Sequence, residues 1–174
     1  MKNMDRLSAQ GKVLAAAAIA FLTLSIVSPA KADNIRWQTV VGIIQPANLV
    51  GNITGARASW TTLGGRARVD LAKGHLDFDV QGLVLAGGNS IGTPGAITMV
   101  TGTLICGAGT ANLTFDTPPV PLSPQGDADF SGTIGPIPTT CSATNVAFLI
   151  RIAGGANAGR WIANGAVRTS PANN

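Results

Sequence analysis

The chain has no tyrosine, no glutamate and a single histidine, and its only two cysteines, Cys106 and Cys141, lie far apart. One histidine and no close cysteine pair leave no zinc-type ligand cluster and no C-x-x-C redox motif. The absence of glutamate, with lysine found once after residue 32, removes the residues that favour helices and pair along them. Charged residues make up only 11% of the chain, yet valine, isoleucine, leucine and phenylalanine recur throughout, so low charge here does not mean disorder. Glycine, alanine, threonine and asparagine abound instead, a composition suited to strands and turns.

A long apolar run is also lacking. Residues 13–27 are mostly apolar, but Ser28-Pro29 ends the run short of the roughly 20 residues a membrane helix requires. Basic Lys2, Arg6 and Lys12 precede it, and Ala30-Lys31-Ala32 follows as a small-x-small cleavage site. Residues 1–32 therefore read as a cleaved N-terminal signal peptide, and 33–174 as one domain in a secreted or periplasmic protein. No cysteine near the cleavage point offers an acyl anchor, and no stable membrane insertion is expected after cleavage. The net charge of +4 resides mostly in the leader; eight basic residues face seven acids beyond it. The basic balance is a targeting device, and nucleic acid is not an expected partner. In an oxidising compartment, Cys106 and Cys141 should form a structural bridge.

Beyond the leader the side chains alternate with a period of two, and no window carries a helical stripe. In RARVDLAKGHLDFDVQ, Ala67, Val69 and Leu71 alternate with Arg66, Arg68 and Asp70, and Leu76, Phe78 and Val80 alternate with His75, Asp77, Asp79 and Gln81. This predicts a hairpin with a two-residue turn at Lys73-Gly74, setting Leu71 against Leu76, Val69 against Phe78, Ala67 against Val80 and Arg68 against Asp79. Further strands are predicted over 35–44, 96–106, 110–116, 127–134, 146–152 and 160–168, the first and last as candidate partners at one edge. The proline-rich stretches 117–126 and 135–145 are predicted as surface loops. The fold class is all-β, an antiparallel β-sandwich or barrel of about eight strands.

Three constellations bear on chemistry. GNSIG at 88–92 fits the G-x-S-x-G pattern of a hydrolase nucleophile elbow, which needs a strand-to-helix turn to expose the serine. Here the context is strand, glycine loop, strand, so Ser90 is expected in an exposed hairpin loop, with a small secreted hydrolase as the alternative. The same loop lacks the lysine of a phosphate-binding loop. Asp77 and Asp79, together with Asp127 and Asp129, repeat a D-x-D spacing. If their strands were adjacent, four carboxylates could converge on Ca²⁺, a hard cation that takes six to eight oxygens; otherwise they are the wet positions of amphipathic strands, balanced by Arg66 and Arg68. Trp37, Trp60 and Trp161 read as core or edge packing, with a sugar platform as the rival. Arg151 and Arg160 are placed to cap or to pair with aspartates, and Asn52 and Asn112 begin N-x-T glycosylation patterns.

The stretches GLVLAGGNSIGTPGAI, GTLIC and FLIRI, followed by GRWIANGAVR, resemble small secreted bacterial β-domain proteins, a resemblance that implies an exported β domain and carries over no functional residue. The alternating hairpin is similar to chordin-type secreted β domains, without their histidine-rich segment. Fimbrial subunits share the leader, the two cysteines and the Gly/Thr/Ala-rich strands, but their bridge lies near the mature N-terminus. No catalytic residue and no cofactor other than Ca²⁺ is expected. The protein is read as a secreted, non-enzymatic protein with a single β-sandwich domain over 33–174, of structural, adhesive or ligand-binding type, acting through a surface ligand or self-association.

Overall fold

Residues 34–107 and 112–169 are described by the structure, a computed structural model. The expected leader at 1–32 lies outside the described residues. Seven longer strands match the alternating segments: β1 (Asn34–Gly42), β5 (Gly64–Asp70), β6 (His75–Gln81), β8 (Met99–Cys106), β11 (Ala128–Thr133), β12 (Val146–Ile152) and β13 (Trp161–Thr169). The four-residue β9 (Leu113–Asp116) lies within the expected 110–116. Five two-residue strands, β2 (Leu49–Val50), β3 (Ile53–Thr54), β4 (Trp60–Thr61), β7 (Val84–Leu85) and β10 (Val120–Pro121), add to the expected set. A two-residue strand offers no period to detect, and β10 sits inside a proline-rich loop. Its proline is tolerated because β10 is an edge strand, where one backbone side needs no ladder partner. Among the described residues there is no helix.

The main sheet is antiparallel throughout, in the order β10-β8-β12-β13-β1-β5-β6-β11, with β9 also on β8. It is one continuous sheet curled into a half-barrel, nearer to the barrel alternative, and not the two stacked layers of the β-sandwich domain expected over 33–174. The curl is visible in the core. Phe148 on β12 and Phe78 on β6 stand four positions apart in the sheet, yet their ring centroids are 5.6 Å apart. Trp37 joins Phe148 at 5.7 Å and Phe130 joins Phe78 at 6.2 Å, so four aromatic rings bridge the interior. Gly102 on β8 makes this possible, because a Cβ there would stand 2.6 Å from the Phe78 ring. The turn 123–126 leads from β10 straight into β11, bringing the two sheet edges close together.

The first and last strands do pair, with Thr39 opposite Ala166 and Val41 opposite Asn164, but in the middle of the sheet and not at an edge. Along β1 the buried positions are Ile35 and Trp37, then Val40 and Gly42. Two consecutive exposed residues, Gln38 and Thr39, mark the change of phase.

The hairpin forms with its faces as expected and its register shifted by two. Val69 is opposite Leu76, Ala67 opposite Phe78, Arg68 opposite Asp77 and Arg66 opposite Asp79. The turn spans four residues, 71–74, instead of two. A slip of two leaves every side chain on its own face, so alternation cannot choose between the registers. Local bonds choose. The Asp70 carboxylate accepts the Lys73 N–H at 3.1 Å, and Gly74 adopts φ 62°, where its carbonyl accepts the N–H of Ile134.

Cys106 and Cys141 are bonded. The bridge ties the irregular 135–145 loop to the end of β8, and both cysteines are buried in the core. No helix among the described residues is long and apolar enough to cross a membrane.

Candidate functional site

On the hairpin, the residues that alternate with the core face outward, and β1 and β11 extend that face on either side. Arg36 is opposite Arg68, Arg68 is opposite Asp77, and Asp77 is opposite Ser131. One step along the strands, Arg66 is opposite Asp79 and Asp79 is opposite Asp129. Gln38 lies two residues beyond Arg36 and is likewise exposed. These two rows line an open groove of about 810 Å³. Adjacent strands are about 4.8 Å apart and alternate residues nearly 7 Å apart, which fixes the spacing of the charges. The cations lie over β1 and β5 and the anions over β6 and β11.

The two D-x-D strands are neighbours, as the calcium reading requires, but they are staggered. Asp79 stands directly opposite Asp129, whereas Asp77 stands opposite Ser131. Asp127 is occupied elsewhere: its Oδ1 accepts the N–H of Gly82 at 2.9 Å, holding the end of β6 to the start of β11. Among the described residues no group of three or more His, Cys, Asp or Glu side chains is placed to hold a metal ion.

This difference in role can be measured. Asp127→Ala should cost about 1 kcal/mol in urea unfolding, because Gly82 loses its acceptor. Asp129→Ala should stay within about 0.5 kcal/mol, since its side chain is exposed and holds nothing among the described residues. Equal losses would contradict the assignment.

His75 and Asp77 are joined by a 3.1 Å contact from Nε2 to Oδ1, and the Ser131 hydroxyl donates to the same Oδ1 at 2.6 Å. Ser131 Oγ is 3.5 Å from His75 Nε2. The three residue types are those of a nucleophilic triad, but the connectivity is different. In a triad the imidazole stands between hydroxyl and carboxylate, so that it can take the proton. Here the serine hydroxyl already donates to the carboxylate oxygen, and the cluster closes the end of the charged face.

Ser90 is exposed in the turn between β7 and β8, where its backbone carbonyl accepts both the amide and the hydroxyl of Thr93. Gly88 and Gly92 carry positive φ of 80° and 78° on either side of it. No helix follows the serine, so the strand-to-helix turn of a nucleophile elbow is not formed.

The three tryptophans are all 3% exposed and pack in the core. Arg151 pairs with Asp116 at 3.1 Å, and Arg160 donates to the carbonyl of Gly55. Asn52 and Asn112 are joined by a 3.2 Å bond from Asn112 Nδ2 to Asn52 Oδ1.

Asp116 and Asp70 have cationic partners, Arg151 and Lys73. The groove differs: among the described residues no Arg–Asp ion pair forms between Arg36, Arg66 or Arg68 and Asp77, Asp79 or Asp129. Asp79 also faces a like charge, Asp129, an arrangement that costs stability in an isolated strand pair. Sequence reasoning singled out the aspartates and the hairpin arginines but missed Arg36, Gln38 and Ser131. Their signal was present as polar residues at alternate positions, but only strand order shows that they share one surface. No family model, curated protein or solved structure matches the chain.

Proposed function

We propose that this chain is an exported, non-enzymatic binding module whose working surface is the charged groove on β1, β5, β6 and β11. The observation that carries the reading is the groove's set of three arginines and three aspartates, aligned in rows yet unpaired with each other among the described residues. Exposed ion pairs gain little, so opposed charges not committed to each other are cheap to hand over to a ligand. Asp77 is held by Ser131 and His75, and Arg68 reaches Asn34 Oδ1 at 3.4 Å, which positions both without neutralising Arg68. The disulfide and the aromatic core make the sheet beneath them a firm support, and the bridge suits an oxidising compartment. Secretion follows from the leader pattern at 1–32.

The test is a pair of titrations followed by amide NMR shifts, one with tetra-aspartate and one with tetra-lysine. The anionic probe should shift β1 and β5, the cationic probe β6 and β11, and both responses should fade with salt. Shifts scattered over the whole surface, or none, would remove the groove from consideration. Hydrolysis of an ester or glycoside that vanishes in Ser90→Ala would overturn the non-enzymatic part.

A calcium-dependent form of the same reading draws on the Asp79–Asp129 juxtaposition, with Asp77 beside it. A native-state ligand must raise the melting temperature. A melt identical in calcium and in chelator would end that form.

A further inference from the structure

Resting on the groove as the working face, we infer that its partner is a second copy of this chain, docked face to face about a two-fold axis. A two-fold interface uses the same patch on both copies, so the patch must complement itself. For two sheets facing each other the axis must lie in the plane between them.

An axis running along the strands, between β5 and β6, exchanges β5 with β6 and β1 with β11 while keeping each cross-strand row in place. Arg68 then lies over Asp77 of the second copy, and Arg66 over Asp79 of the second copy. Arg36 meets the Ser131 hydroxyl and Gln38 meets Asp129, and every contact occurs twice. The registers that fix these rows are Arg36 opposite Arg68, Arg68 opposite Asp77 and Asp77 opposite Ser131 in one, and Arg66 opposite Asp79 and Asp79 opposite Asp129 in the other; Gln38 follows one residue after the last β1–β5 pair, Trp37 with Ala67. An in-plane axis at right angles to the strands would instead lay arginine on arginine. The strand-parallel arrangement also gives Asp129, which faces Asp79 within its own chain, a hydrogen-bond donor in Gln38.

A sugar ring is a poorer occupant, because all three tryptophans are buried, and Trp37, which lines the groove, is only 3% exposed and presents no open indole face for stacking. The rows span four strands and two alternate positions, a footprint of a few hundred Å² per copy, below the roughly 800 Å² typical of a stable complex. The association is therefore weak, reversible and salt-dependent.

Sedimentation velocity on the purified protein tests this. A monomer–dimer equilibrium is expected at about 50 mM NaCl, weakened by about tenfold or more at about 500 mM as the pairs are screened. Arg66→Asp and Asp79→Arg should each abolish the dimer, because each places like charges across the interface. Both substitutions together in one chain should restore it, because the two charges have then exchanged places and each again meets its opposite on the other copy. Circular dichroism confirms that each variant is folded; if a reversal unfolds the chain, the neutral pair Arg66→Gln and Asp79→Asn serves instead, each expected to weaken the dimer.

A monomer at every concentration in low salt overturns the inference, as does a dimer indifferent to the substitutions. A folded double reversal that stays as monomeric as the single ones overturns it too. If tetra-aspartate and tetra-lysine still shift the groove of a strictly monomeric protein, only self-pairing fails and the groove reading survives. If neither binding nor dimer is found, both fail.

Discussion

Phe148→Ala should lower the unfolding free energy by about 3 to 5 kcal/mol, the range for removing a fully buried aromatic ring. Phe148 is 0% exposed and lies between Trp37 and Phe78. Because it sits on β12 and meets β6 across the interior, its loss opens a cavity at the point where the two arms of the curled sheet touch. The neighbours cannot easily collapse into that space. Trp37 lies against Gly165, and Phe78 already packs against Gly102, so neither ring is free to move inward. A small domain is stable by only about 5 to 15 kcal/mol, so this one change removes a large part of the reserve. Urea unfolding followed by tryptophan fluorescence measures it. A loss below about 1 kcal/mol would show that the half-barrel does not depend on the aromatic bridge. Phe148→Leu, which retains most of the volume, should cost about 1.5 kcal/mol or less.

Reducing the disulfide should cost about 3 to 4 kcal/mol, from the entropy regained when a closed loop of this length is released in the unfolded chain. The bonded cysteines are separated by 35 residues, a span that includes β9, β10, β11, the 117–126 loop and the 135–145 loop as far as Cys141. Those elements include both edges of the sheet, the parts held by the fewest ladder bonds. A double Cys106→Ala and Cys141→Ala variant should therefore lose stability by a similar amount. In hydrogen exchange, its first losses of protection should come from β9, β10 and the 135–145 loop, before β1, β5 and β13. Unchanged stability after reduction would mean that packing alone secures the edges.

The groove variants bear on different quantities. Asp127→Ala touches stability through one bond to Gly82, whereas Arg66→Asp and Asp79→Arg alter what the face can bind. Keeping these readouts apart separates aspartates that hold the fold from aspartates that present charge.

Much of the local structure was legible in the residues. Val69, Leu76, Phe78 and Val80 point inward because alternate residues of a strand face opposite sides, and composition shows which side is apolar. Register was less legible: at the hairpin, a shift of two residues leaves the pattern unchanged, and the Asp70–Lys73 bond with Gly74 chose between the options. The candidate site was only half visible, since Arg36 and Ser131 come from strands separated by most of the domain in sequence.

Residue order along the chain was enough to specify an all-β architecture for the described residues, with an inward and an outward face on each long strand and one available disulfide. Those properties follow from local periodicity and from there being only two cysteines. Tertiary structure alone decided that the sheet is continuous and curled, that Phe148 meets Phe78, and that Asp79 lies between Arg66 and Asp129. Strand order depends on how distant segments share one core, and no local pattern carries that information.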